Sequence, residues 1–279
     1  MRGVTAEYPS RMLSLIAMTA ALLSAPASAG ASTVIYSGTT TSDQYPLVVT
    51  VSGSRIVGLS SMWRAVCSSG RGYSYGKVVS LAKAPIAIKG GRFSGSVTVP
   101  ETLGGGQTAL STVLLKGTIK GSRIAGTMTG ATAVGSDPKG PDDTCAVTNL
   151  NFSLLHKPGT EYGGATSQGL PVVVELGNGG RAVRHLHVGW RETCTSGDAF
   201  QFADFLSGGA LTAGRFGGTF STNETRSAGG TIVSDYAISG KLSKAAGSGS
   251  LKLTITLKDA AGATEDTCGT SALTFRVHA

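Results

Sequence analysis

Alternation of apolar and polar positions dominates this chain. Leu59, Trp63, Ala65 and Cys67 share one face at period two with Arg64 opposite, and Leu186, Val188, Trp190 and Cys194 repeat the arrangement with Arg191 opposite. Such alternation predicts half-buried strands. Residues 46–51 and 171–176 read as strands that open on proline, where the missing N–H is tolerated. Tyr73-x-Tyr75 and Phe200-x-Phe202 alternate as well. With the opening stretch Tyr36-Ser-Gly-Thr-Thr-Thr, rich in small and β-branched residues, residues 92–97, 112–119 and 124–131 and the run Leu150-x-Phe152-x-Leu154 bring the first half to about eight strands. Gly-rich turns separate these segments and none carries helical periodicity, so the chain is predicted to be all-β.

The pattern occurs twice. Residues 91–156 recur without a gap as 214–279, at a constant offset of 123. The offset aligns Gly91-Arg92-Phe93 with Gly214-Arg215-Phe216, Gly117 with Gly240, Gly126 with Gly249, Asp143-Thr144-Cys145 with Asp266-Thr267-Cys268, and Phe152 with Phe275. A tandem duplication predicts two homologous antiparallel meander domains, 30–157 and 158–279, each a flattened β-barrel or two-sheet β-sandwich. Trp63, Phe93 and Phe152, with Trp190, Phe216 and Phe275, are the expected aromatic core. The tryptophans share their faces with Leu, Ala or Val and Cys, which favours core over exposed sugar-stacking platforms.

Residues 1–29 carry Arg2 and Arg11, then an uncharged run from Leu13 to Leu23, then Ala27-x-Ala29. They read as a cleaved signal peptide, the apolar run being too short to span a bilayer. No later run is long and apolar enough to be a membrane span, so a secreted or extracytoplasmic, soluble or surface-associated monomer is expected.

Export changes the meaning of the four cysteines. An oxidising compartment favours bridges over free thiols. Three pairings are open, and the duplication favours one bridge per half, Cys67 with Cys145 and Cys194 with Cys268. Cys67 ends the third predicted strand and Cys145 begins the eighth. In a meander these ends meet on one side, but in an open round barrel the strands lie nearly opposite, beyond the roughly 7 Å between Cα atoms that a bridge allows. Flattening follows. Cys145 has the opposite parity to Leu150 and Phe152, which requires a bulge or a cysteine outside the strand.

Net charge is uneven: residues 30–157 hold 12 Lys or Arg against 5 Asp or Glu, and residues 158–279 hold 10 of each. A basic first half fits an anionic partner such as a cell-envelope polymer, although its cations are scattered along the sequence.

Candidate chemistry is sparse. Gly72-Tyr-Ser74-Tyr-Gly76 matches a nucleophile elbow, but it sits in a strand, and Gln201 replaces Ser74 in the second copy. His185-x-His187 can chelate a metal from one strand face. That face is the outward one, Gly58 and Ser60 replace the pair in the first copy, and a solvent-facing pair is the plainer reading. Asp137, Asp142 and Asp143 precede Cys145, and Asp259, Glu265 and Asp266 precede Cys268. Asp142, Asp143, Glu265 and Asp266 are the weak calcium candidates among them, set against simple capping of turn amides.

Tyr162-x-Gly-x-Thr-Ser-Gln168, Trp190-x-x-x-Cys194, Gly91-Arg-Phe-Ser-Gly95, Gly117 with Gly126-Thr127, and Asp-Thr-Cys resemble a class of exported bacterial proteins built from copies of a small cysteine-bearing β domain. The resemblance spans the mature chain and implies no assigned activity, cofactor or catalytic residue. The first copy lacks the glutamine of that motif. The expected function is that of a non-enzymatic, cofactor-free binding or envelope-associated module, contacting anionic polymers through its basic first domain. A lipocalin-like carrier of a small apolar ligand and a secreted hydrolase with a site between the copies, where His156, His185 and His187 could gather, are the alternatives.

Overall fold

The computed structural model describes residues 32–279 apart from 43, 71, 103–107, 136–141, 208, 227 and 228. The expected signal peptide and Asp137 lie outside the described residues. The first half holds β1 (Thr33–Thr40), β2 (Pro46–Ser52), β3 (Arg55–Cys67), β4 (Gly72–Ser80), β5 (Ile86–Lys89), β6 (Arg92–Thr102), β7 (Thr108–Lys120), β8 (Arg123–Gly135) and β9 (Asp143–Leu155). The second holds β10 (Glu161–Thr166), β11 (Pro171–Gly177), β12 (Ala182–Cys194), β13 (Ala199–Leu206), β14 (Gly209–Ala210), β15 (Arg215–Thr225), β16 (Thr231–Leu242), β17 (Ala246–Lys258), β18 (Thr264–Gly269) and β19 (Leu273–His278). Every pairing is antiparallel, and no helix occurs among the described residues, so none is present that is long and apolar enough to cross a membrane.

Each half is one sheet curled over its own core. In the first, the order β2-β1-β9-β8-β7-β6-β5-β3-β4 folds back on itself because β2 also pairs with β3. In the second, the order is β13-β12-β11-β10-β19-β17-β16-β15, with β14 on β12 and β18 joining β12 to β17. The strand count exceeds the predicted eight because β5 has four residues and β14 two, too few to show a period, and because the last strand of the second half is split into β18 and β19. Both short strands pair with the Trp strand of their half; β5 also pairs with β6 and so closes the first sheet, while β14 pairs only with β12 among the described residues.

The parity conflict at Cys145 resolves as a bulge. Pairing of β8 with β9 skips a register between Met128 and Gly130, beside Asn149 at φ 56. In the second copy the same point is a break between β18 and β19. Cys67 then lies directly opposite Cys145, and Cys194 opposite Cys268, each pair bridged at a Cα separation of 3.8 Å.

Trp63, Phe93 and Phe152 are buried in the first core, and Trp190, Phe216 and Phe275 in the second. The repeated glycines serve these rings. Gly117 faces Gly126 across β7 and β8. A Cβ on Gly117 would lie 2.7 Å from the Phe93 ring, and one on Gly126 2.9 Å from the Phe152 ring. Gly240 and Gly249 stand in the same relation to Phe216 and Phe275.

The outer face of the Trp strands is not fully solvated. Both strands bury five consecutive residues, 59–63 in β3 and 186–190 in β12. The cause is the other half: β1, β2 and β4 pack on β10, β11 and β13. Met62, on the outward face, is wholly buried against Gly189, and Val48 and Ser37 sit on Gly163, where a Cβ would come within 2.8 Å of Ser37 Cβ.

Candidate functional site

Strand register assembles one polar cluster. Glu161, Glu175 and His185 lie directly opposite one another on β10, β11 and β12. Directly opposed residues share a face, and His187 joins them by period two. A bulge follows Glu175, and bulges re-aim neighbouring side chains. His185 Nδ1 is 3.1 Å from Glu175 Oε2, and His187 Nε2 is 3.8 Å from Glu175 Oε1. The imidazoles meet edge to face at 5.5 Å, and Phe205 of β13 packs on both rings.

This face is turned toward the first half, which corrects the expectation of a solvent-facing histidine pair. His187 is 2% exposed. The Gln44 backbone of the first half lies against its ring, while Nδ1 makes no hydrogen bond of ordinary geometry. Burial lowers the His187 pKa, against the pull of Glu175. A cleft of about 460 Å³ adjoins the cluster, lined by Glu161, Glu175 and Arg184, by Lys157 between β9 and β10, and by Thr39 and Ser153 of the first half.

Burial, reinforced by Glu175 and opposed by Lys157, pushes the Glu161 carboxyl up to about 8 from an ordinary 4.5. Folding therefore favours the protonated acid. Its contribution is most favourable below pH 4.5 and is lost as pH rises toward about 8. The urea midpoint is expected to fall between pH 5 and pH 8, and Glu161→Gln to flatten that fall. An unchanged slope in the variant would mean the carboxyl is solvated.

Pairing also gathers the scattered cations of the first half. Lys89 is opposite Arg92, Arg92 opposite Thr118, Ser94 opposite Lys116, and Lys120 opposite Arg123. All five basic side chains are exposed on the outer face of β5–β8. Lys89, Arg92 and Lys116 line an open groove with the hydroxyls of Ser94, Thr118 and Thr127. Glu101 is the only acid between residues 86 and 127. At the offset of 123 the second copy has Thr212, Arg215, Ser239, Ser243 and Ala246.

No protein-family model, curated protein or solved structure matches this chain.

The remaining candidates are engaged elsewhere. Ser74 lies within β4, away from any strand-to-helix turn among the described residues. His156 stacks on Tyr36, with Nδ1 2.9 Å from Ile35 O, and does not join the cluster. Asp143 accepts hydrogen bonds from the Ser68 and Ser69 hydroxyls at 2.6 and 2.7 Å and from the Ser69 and Thr144 amides. Asp266 accepts from the Thr195 hydroxyl and the Ser196 and Thr267 amides. These donors, hydroxyls first, hold both carboxyls down to about 2. Asp142 is exposed and Glu265 pairs with Arg226. Asp143 and Asp266 thus tie down the turns beside the cystines by accepting from their amides. Gln168, from the motif carrying the resemblance, donates to Arg191 O at 2.7 Å and accepts from Arg191 N at 2.6 Å, a clamp on the backbone of β12.

Proposed function

We propose that this protein works outside the cytoplasm as a non-enzymatic binding module that holds an anionic envelope polymer on the outer face of β5–β8. The observation that carries the reading is the cluster of Lys89, Arg92, Lys116, Lys120 and Arg123 on one nearly acid-free sheet face, of which the second copy keeps only Arg215 at the matching positions. A flat array of cations with interspersed hydroxyls suits repeated phosphate or carboxylate groups, since each contact adds charge attraction without demanding a deep pocket. Two cystines fit an oxidising compartment, and the resemblance to exported tandem-domain proteins supports export. Both cores are occupied by continuous clusters of buried side chains, which favours a surface over a carrier's cavity.

The test is retention of the mature chain on immobilised inorganic polyphosphate across a salt gradient. Wild type is expected to elute at clearly higher salt than a variant with all five residues changed to Ala, because exposed charge contacts are screened as ionic strength rises. Anionic lipid vesicles form a parallel arm, and binding to vesicles alone would move the partner from polymer to membrane surface. Identical elution of the two proteins would sink the proposal.

A further inference from the structure

We propose that Glu175, His185 and His187 form a binding site for one divalent first-row transition ion per chain, with Zn²⁺ as its representative. Each residue presents a ligand atom, and the three atoms lie within 4.8 Å of one another. Two imidazoles and a carboxylate are the donor set that such ions accept, whereas Ca²⁺ and Mg²⁺ prefer oxygen alone. Three protein ligands leave a fourth position for water or for a group arriving from the cleft, as in open zinc sites.

The frame that holds the donors is built before any ion arrives. Cross-strand register fixes Glu175 against His185, a bulge adjoins Glu175, burial under the first half fixes His187, and Phe205 packs on both rings. Glu175 already lies against both imidazoles, so an ion would replace contacts of 3.1 and 3.8 Å with bonds after a small closure. Thr50, Gly58 and Ser60 occupy the corresponding positions of the first copy, where β2 and β3 have the same pairing and the same bulge. The scaffold is therefore duplicated and the ligands are not. No free cysteine competes for the ion. This site is distinct from the basic face and stands or falls without it.

Calorimetric titration of the tag-free mature chain with Zn²⁺ is expected to show one site per chain. His185→Ala and Glu175→Gln should each weaken it by more than about 100-fold, beyond the roughly 10–100-fold loss typical of removing a supporting partner. These two carry the test because their side chains are 29% and 30% exposed and tolerate change, whereas His187 is buried and its loss risks the fold. Co²⁺ should give visible absorption that the same two variants abolish. His278→Ala, at the exposed end of β19, should leave both readouts unchanged. The proposal is overturned by a lack of stoichiometric binding, by equal affinity in wild type and both variants, or by Ca²⁺ binding as tightly at the same residues.

Discussion

Removing either cystine is expected to lower the unfolding free energy by about 4 kcal/mol on chain-entropy grounds. The bridges close separations of 78 and 74 residues, and the logarithmic dependence on length makes their effects nearly equal. Geometry adds to the expectation. At that end of the first sheet, β3 meets β9 through only two register pairs, Val66 with Ala146 and Cys67 with Cys145, and β12 meets β18 equally briefly. With so little pairing, the covalent link is the main restraint on the pinched end. The Asp143 and Asp266 clamps on the adjoining turns then lose the anchor that aligns them. Both cysteines of a pair should be changed to Ser together, so that no reactive thiol remains. For a compact unit the size of residues 32–279, each kcal/mol moves the melting temperature by about 2–4 °C, so each double variant should melt about 8–16 °C below wild type by calorimetry. A loss below about 2 °C would show that strand pairing alone closes that end.

The strands, the duplication and the flattening were legible because they rest on local period and on matched residues. Trp63 with Cys67, and Trp190 with Cys194, show their inward face in any strand conformation. Other features depend on what lies across space. β5 and β14 are shorter than any period can reveal. Lys89, Arg92, Lys116, Lys120 and Arg123 look dispersed in one dimension. The hairpins at Gly90–Gly91 and Gly121, all at positive φ, set the register that makes them neighbours, and folding those hairpins on paper would have found the patch. Pairing residues 171–177 against 182–188 would likewise have brought Glu175 within one residue of His185, and the bulge after Glu175 supplies the last step of register. Burial of Met62 and His187 had no such signal, because a period-two pattern cannot show that a second sheet covers the outward face.

Trp190→Ala is expected to cost about 3–5 kcal/mol, the range for emptying a buried aromatic site. Trp190 is 2% exposed and packs with Phe202 and Tyr236 at ring separations of 6.3 Å. Part of its effect is polar, and a milder change isolates that part. Trp190 Nε1 donates to Glu192 Oε2 at 3.2 Å, and Glu192 is itself 2% exposed. Burial raises the Glu192 pKa and the indole N–H opposes that rise. Trp190→Phe keeps most of the ring volume but removes the donor, leaving a buried carboxyl less satisfied at a further cost of about 1–3 kcal/mol. The first copy carries Ala65 in place of Glu192. Glu192→Ala should therefore recover much of the stability lost in Trp190→Phe, and a double-mutant cycle in urea reads the coupling directly. Additive losses would show that Glu192 draws its satisfaction from elsewhere. A coupling of at least about 1 kcal/mol would mark the indole as both the filler of the second core and the partner that allows a carboxyl inside it.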